Sequence, residues 1–311
     1  MILHMEDVIK RFGNHLALDH LSLEVKKGEV VGLLGPNGAG KTTSIKAIVG
    51  LLPVDEGEVT VFGLNQDGKN KEIKRKIGFV TQEVTIYEDM TAIENLRFFG
   101  SLYGLEKKEL EVRIQKVAKI IGLEDRLNEK PSHYSGGMKR RLNIGCSILH
   151  EPELLIMDEP TVGIDPQSRN YILDFVKKAA EKGTSVIYTS HYIEEVEAIS
   201  DRIYIMDHGH VIASGTLPEL IGRIQGDSHI LVDVAIANEE KRAELAAMPD
   251  IKEVVLKGNQ YHVIIPGGIS IIDKIVTVLA PLKIATINSK QPNLEDVFLT
   301  LTGKQLRDEV E

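Results

Sequence analysis

The sequence predicts an α/β fold built on a mainly parallel sheet, with a helical subdomain inserted in it and a small α+β domain after it. Three observations predict this. Apolar strand runs alternate with amphipathic helical stretches over the first 225 residues, the rhythm of parallel sheets covered by helices on both faces. The strand run Val30–Leu34 ends in a glycine-rich loop that opens a helix. The composition shifts near Gln225-Gly226-Asp227, and a chain of 311 residues suggests two domains at about 150 residues each. The boundaries read as residues 1–225 and 226–311, with the helical subdomain at about 90–150.

Taken in order, Val30–Leu34 is a short buried strand. Thr43–Leu51 repeats apolar residues at helical spacing, with Gly50 near its end. Leu154–Met157 is a second strand, Asn170–Glu181 a helix and Ser185–Thr189 a third strand. Thr91–Gly122 interrupts the rhythm with two helical stretches, including a charged one from Glu106 to Ile121. With the helix after Gly137 they make the subdomain. Beyond the composition shift, Ile230–Ala237 reads as a strand and Glu239–Ala247 as a helix. The strands Ile251–Lys257 and Tyr261–Ile265 are joined by a turn at Gly258-Asn259. A helix (Ser270–Leu279) and a strand (Lys283–Asn288) follow. That order is the split βαβ, ferredoxin-like one. Leu294–Leu301 reads as a closing helix.

Composition bounds the function. Hydrophobic residues make up 42% of the chain, enough for ordinary cores. Lys plus Arg is 37 against 46 Asp plus Glu, a net charge of -9, which argues against a general nucleic-acid binder, because phosphate contacts need clustered cations. Cys146 is the one cysteine, which excludes a disulfide framework or cysteine zinc site and fits a reducing compartment. The apolar stretch Ile269–Ile284 is broken by Asp273, Lys274, Pro281 and Lys283, short of the roughly 20 apolar residues of a spanning helix. Glu6, Asp7, Lys10 and Arg11 precede any apolar run, so no signal peptide is expected. The expectation is a cytoplasmic chain whose membrane role would depend on a partner that supplies the spanning helices.

Gly35-Pro36-Asn37-Gly38-Ala39-Gly40-Lys41-Thr42 fits the pattern G-x-x-x-x-G-K-[ST]. Phosphate oxygens must approach backbone N–H groups closely, and glycine lets the backbone curl that tightly. The following helix points its positive dipole end at the same anion. Lys41 supplies a point charge for β- and γ-phosphates, and Thr42 offers a hydroxyl to Mg²⁺. The phosphate-contacting stretch is taken to extend through Thr43.

Leu154-Leu155-Ile156-Met157-Asp158-Glu159 is an apolar strand that ends in two carboxylates. Ligands of open parallel sheets bind beyond the carboxyl ends of the strands, which places Asp158 to hold Mg²⁺, directly or through water. Glu159 is the candidate to position or deprotonate an attacking water. His191 and Gln82 each follow a strand run, but neither is informative by itself.

Ser135-Gly136-Gly137-Met138-Lys139-Arg140-Arg141, about twenty residues before the acidic pair, resembles the signature motif of ATP-binding cassette (ABC) ATPases. Around it, Gln82 resembles the Q-loop glutamine, Asp158-Glu159 the Walker B pair, Asp165 the D-loop aspartate and His191 the switch histidine. Phe12 matches the aromatic that stacks on adenine. The resemblance spans residues 2–220 and implies a P-loop NTPase of the ABC cassette type that binds ATP and Mg²⁺ and hydrolyses ATP. It implies Glu159, His191, Gln82 and Lys41 as the catalytic group, with Thr42, Gln82 and Asp158 at the metal. It also implies that Ser135, Gly136 and Gly137 cap the γ-phosphate held by an opposite cassette, either an identical chain or a paralogue. Four positions depart from the common pattern: Met138 stands for glutamine, Tyr134 for leucine, Val162 for serine and Phe12 for tyrosine. None is a phosphate or metal ligand, so hydrolysis is still expected.

Gln291-Pro292-Asn293-Leu294-Glu295-Asp296-Val297-Phe298-Leu299 is similar to the tail of ATPase subunits from multidrug and antibiotic-resistance exporters. Its apolar residues also form one stripe of a packing helix. The resemblance implies an export motor, peripheral on the inner face of the cell membrane. Its membrane permease subunit would dock near Gln82–Met90 and the helical insertion. The alternatives weighed are a non-transport ABC ATPase acting on ribosome or DNA, and a cassette regulated by a ligand-sensing C-terminal domain. Five basic residues in Lys69–Lys76 and the run Lys139-Arg140-Arg141 read as solvated faces, so no nucleic-acid partner is expected. Cys146 is expected to be buried among Ile144, Ile148 and Leu149.

Overall fold

The computed structural model describes residues 1–223, 228–266, 270–290 and 293–302. It divides into two compact units: Met1–Thr216, and a second that begins at Leu217. None of its described helices is long and apolar enough to cross a membrane.

The first unit begins with a long hairpin, β1 (Leu3–Phe12) and β2 (His15–Val25), and then β3 (Val30–Leu34) and α1 (Lys41–Ile48). Next come β4 (Glu56–Val61), β5 (Leu64–Asn65), α2 (Lys71–Lys76) and β6 (Ile77–Val80). The helical subdomain holds α3 (Ala92–Leu102), α4 (Lys107–Ile121) and α5 (Gly136–Ile148). The chain returns through β7 (Leu154–Asp158), α6 (Pro166–Glu181), β8 (Ser185–Thr189) and α7 (Ile193–Ile199), and ends in β9 (Arg202–Asp207) and β10 (His210–Gly215).

Two sheets result. One is ordered β10-β9-β3-β8-β7-β6, parallel except for β10 on β9. The other is antiparallel, ordered β2-β1-β4-β5. The alternation of strands and helices predicts the first sheet and misses the second. The reason lies in β1, where pairing slips between Met5 and Val8 and Asp7 takes φ +51°. Such a bulge shifts the two-residue period, so the strand lacks a clean alternation of buried and exposed residues. One core joins both sheets and α1, with Leu3, Leu21, Leu33, Ile45, Ile48 and Ile156 all buried.

In the subdomain, α3 opens with a capping box between Thr91 and Glu94, worth on the order of 1 kcal/mol. The helix α4 buries Leu110, Ile114, Val117, Ala118 and Ile121, the 3–4 spacing of one face. It ends at Gly122 in the left-handed conformation.

The second unit holds α8 (Leu217–Arg223), β11 (Ser228–Val234), α9 (Glu239–Ala246), β12 (Glu253–Lys257), β13 (Gln260–Ile265), α10 (Ile272–Leu279), β14 (Ile284–Lys290) and α11 (Leu294–Thr302). Its sheet is ordered β12-β13-β11-β14, antiparallel throughout, which is the ferredoxin-like arrangement. Alternate residues of β11 are buried, and Ile230, Val232, Tyr261, Val263, Ile275 and Leu279 fill one core. The unit starts earlier than residue 226, because α8 packs on α11. The composition shift at Gln225-Gly226-Asp227 and the dipeptide Gln291-Pro292 lie outside the described residues.

Candidate active site

Four neighbouring parallel strands deliver the candidate residues from their carboxyl ends. The strand β3 runs into the glycine loop, β8 into Ser190-His191, β7 into Asp158-Glu159 and β6 into Thr81-Gln82. Register sets the level: Asp158 lies opposite Thr189, and Met157 opposite Val80. Chemistry therefore gathers at one edge of the sheet, where open α/β sheets bind ligands.

The loop Gly35–Gly40 is shaped by close contacts. A Cβ on Gly35 would lie 2.6 Å from the Met206 carbonyl oxygen, and one on Gly40 would lie 2.8 Å from that of Ala17. Gly40 also takes φ +100°, which only glycine adopts without strain. It is the N-cap of α1 and brings no side-chain cap, so the first N–H groups of that helix face the loop. Lys41 is buried, and its Nζ donates to the carbonyl oxygens of Gly35 at 2.6 Å and Pro36 at 3.2 Å. The ammonium is thus held against the first carbonyls of the loop.

Thr42 Oγ1 donates to Asp158 Oδ2 at 3.2 Å, which joins the helix start to the acidic pair. Thr189 Oγ1 donates to Asp158 Oδ1 at 2.8 Å and accepts from the Glu159 N–H at 2.9 Å. Burial pushes the Asp158 carboxyl above its ordinary pKa, against the pull of these hydroxyls. Glu159 leaves the strand at φ +47°, a left-handed conformation uncommon outside glycine and typical of strained functional positions. Its Oε2 receives the Gln82 Nε2–H at 3.0 Å and lies 2.7 Å from His191 Nε2. Residues from three strand ends therefore meet at one carboxylate oxygen, which is itself buried.

Ser135 is the N-cap of α5, its hydroxyl accepting the Met138 N–H at 3.3 Å. A Cβ on Gly137 would sit 1.9 Å from Ser168 Oγ and 2.9 Å from Asp165 Oδ2, so this glycine seats α5 against the start of α6. Asp165 caps α6 by accepting the Ser168 N–H at 2.9 Å, and that bond lowers its carboxyl pKa. Phe12 lies at the β1–β2 hairpin end, half exposed. A few residues on, the return strand touches the loop at Ala17.

A family model described as ABC transporter matches residues 18–162. The chain is 44% identical to the linearmycin resistance ATP-binding protein LnrL of Bacillus subtilis, over 99% of this chain and 100% of that protein. The chain belongs to the ABC transporter family. The Nod factor export ATP-binding protein I of Cupriavidus metallidurans is 35% identical over 99% of each chain. A dimeric ATP-binding cassette in a post-hydrolysis state, bound to ADP and Pi, superposes with a TM-score of 0.63 at 28% identity, over 69% of this chain and 98% of that one. The chain is thus an ABC ATP-binding subunit of the drug-resistance exporter branch, and it is an ATPase.

Sequence reasoning missed several residues of this cassette. Lys139-Arg140-Arg141 is not a solvated face. Arg140 is 3% exposed, and its guanidinium donates to the Thr81 carbonyl at 2.6 Å and to the Gln82 carbonyl. The signature helix thereby grips the backbone that carries Gln82. Lys139 pairs with Glu88 at 2.6 Å, and Arg141 donates to the Ile121 and Gly122 carbonyls at the end of α4. Asn143 Oδ1 accepts from the N–H and hydroxyl of Thr85. Asn95 is bonded to both backbone groups of Tyr87. A charge run carries no signal of such backbone docking, because solvated and buried arginines read alike in sequence. Lys69, Lys71, Lys74 and Arg75 are exposed, as expected, and Cys146 is buried.

Proposed function

We propose that this ABC ATPase uses Glu159 to activate the attacking water and drives export through a separate membrane permease. The observation that carries the reading is the convergence of Gln82 and His191 on Glu159 Oε2, beside the Thr42–Asp158 pair. Lys41 and the backbone N–H groups between Gly35 and Thr43, Pro36 excepted, would hold the phosphates, with Phe12 against adenine. Gln82 and His191 would orient Glu159 toward the γ-phosphate. Positioning and electrostatics carry most phosphoryl-transfer catalysis.

The donor set fits Mg²⁺. Thr42 Oγ1 and Asp158 Oδ2 are hard oxygen donors 3.2 Å apart. Among the described residues no three His, Cys, Asp or Glu gather into a metal cage. Mg²⁺ favours such a sparse arrangement, taking one or two protein oxygens with water and phosphate. Thr42 and Asp158 would hold it with Gln82 nearby, and it would neutralise charge on the β- and γ-oxygens.

Two partners follow from this reading. A second cassette, identical or paralogous, would bring its own Ser135–Gly137 segment to the nucleotide. The permease would dock on the segment after Gln82. There Val84 and Tyr87 are exposed, as are Phe98 and Leu102 on α3, and Tyr87 and Phe98 meet edge to face at 5.1 Å. An exposed apolar cluster of this kind marks an interaction surface. Names of relatives that mention linearmycin resistance and Nod factor export support export, with the chain peripheral on the inner membrane face.

Glu159→Gln tests the reading. Steady-state phosphate release should fall by roughly a hundredfold or more, while ATP binding persists and a nucleotide-bound dimer accumulates. Normal turnover in this variant would remove Glu159 from the mechanism.

A further inference from the structure

Resting on that reading of Glu159 and His191, we infer that Glu195 is the positioning residue that holds His191 at Glu159 and ties the switch segment to the segment after the acidic pair. Glu195 is the third residue of α7 and is 2% exposed. Its Oε2 accepts three hydroxyl hydrogen bonds, from Ser190 at 2.6 Å, Thr161 at 2.7 Å and Tyr188 at 2.9 Å. Its Oε1 lies 3.2 Å from Arg169 Nε, and that guanidinium sits 4.3 Å from the centre of the Tyr192 ring.

The donors come from three different places. Tyr188 is in β8. Ser190 immediately precedes His191. Thr161 lies two residues after Glu159, in the segment that leads to Asp165. Arg169 belongs to the first turns of α6, which Asp165 caps. The Ser190 hydroxyl also accepts the Tyr192 N–H at 2.9 Å, so it closes the turn on which His191 stands. Because the hydroxyl donates to Glu195, the carboxylate sets the orientation of that turn. Helix α7 itself is fixed at Gly32, where a Cβ would lie 2.4 Å from Val196 Cγ1. Glu195 is thus anchored from behind and reaches both arms of the site.

A buried carboxylate is costly unless its lone pairs are filled and its charge is matched. Here the three hydroxyls fill Oε2 and the Arg169 guanidinium beside Oε1 matches the charge; hydroxyl bonds to a charged oxygen are among the stronger ones. Burial and the neighbouring Glu195 charge push the Tyr188 phenol well above its ordinary range, so it remains a donor. Moving Ser190 or Thr161 alone would strip a donor from the buried charge. The two segments therefore shift together, and His191 answers to the position of the Thr161–Asp165 segment.

The experiment is ATP hydrolysis by the full chain, in steady state and single turnover, with thermal unfolding measured alongside. Glu195→Gln keeps the shape and removes the charge. It should lower kcat by about tenfold through misplacement of the catalytic group, leave KM for ATP within about twofold and keep the unfolding transition cooperative. In a His191→Ala background the same substitution should cost less than about twofold, because the group it positions is gone. Ser190→Ala should reproduce the pattern, and it stands in for Glu195→Gln if that variant does not fold. An unchanged kcat in both variants overturns the inference. So does an equal loss with and without His191, which marks general structural damage, and so does a loss confined to KM. If His191→Ala alone hydrolyses ATP at the native rate, the reading of His191 fails first and the inference falls with it.

Discussion

Two helix starts in this cassette open with glycine, and they are finished in different ways. The start of α1 is closed by its own chain. Gly35 and Gly40 are pressed against the Met206 and Ala17 carbonyls, and Lys41 is tied to the loop. The start of α5 is closed on one side only. Gly137 is packed onto Ser168 and Asp165, whereas a Cβ on Gly136 would meet nothing nearer than the Gly163 carbonyl oxygen at 4.0 Å. The same residue type is thus forced by packing at three positions and left open at a fourth. A phosphate loop that one chain completes and a signature turn with an open face support the proposed sharing of nucleotide between two cassettes.

Substitutions can break or sharpen this contrast. The largest effect is expected at the closed start. Lys41→Ala removes a charge-assisted contact and should weaken ATP binding by about 2–3 kcal/mol, roughly 30- to 150-fold, as read by calorimetric titration. Unchanged affinity would contradict the phosphate-loop assignment. Next comes Gly137→Ala, which drives a methyl group into Ser168 and should destabilise the fold by roughly 1–3 kcal/mol. Denaturant unfolding reads this directly, and an unchanged midpoint would mean that the α5–α6 approach is looser than described. Gly136→Ala meets open space and should leave stability within about 0.5 kcal/mol. On the proposed reading the added methyl stands against a partner's phosphate, so hydrolysis should still drop about tenfold. Full activity there would leave the open face without a role in catalysis. The smallest effect is expected from Phe12→Ala, about 1 kcal/mol of ATP affinity through lost stacking, with Phe12→Tyr neutral because stacking needs only a π face. Equal affinity in Phe12→Ala would move the adenine elsewhere.

Legibility followed locality. The phosphate loop and the acidic pair are each written within eight consecutive residues, so short-range chemistry exposes them, whereas His191 and Gln82 gain meaning only from the resemblance around them. The ferredoxin-like order was readable from strand and helix lengths and from the Gly258-Asn259 turn. The antiparallel sheet was not, because the bulge at Asp7 shifts the two-residue period in β1. Arg140 and Glu195 were also hidden. Each looks like an ordinary surface charge on a helix. Each is buried by partners that the fold brings to it: the Thr81 and Gln82 carbonyls after β6 for Arg140, and for Glu195 the Thr161 hydroxyl, 34 residues away, together with those of Tyr188 and Ser190 on the neighbouring strand and turn.

The sequence by itself marked the groups proposed to meet phosphate and metal. Glycine, lysine, threonine and carboxylate carry their chemistry wherever the backbone puts them, and strand and helix periodicities placed them at strand ends. Only the tertiary structure decided how those groups are held. Parallel pairing of β3, β8, β7 and β6 brings Gln82, Glu159 and His191 to one oxygen across more than a hundred residues of chain. Burial then turns Arg140 and Glu195 from solvated charges into fixed braces, since a charge removed from water must be satisfied by the few groups that the fold places beside it.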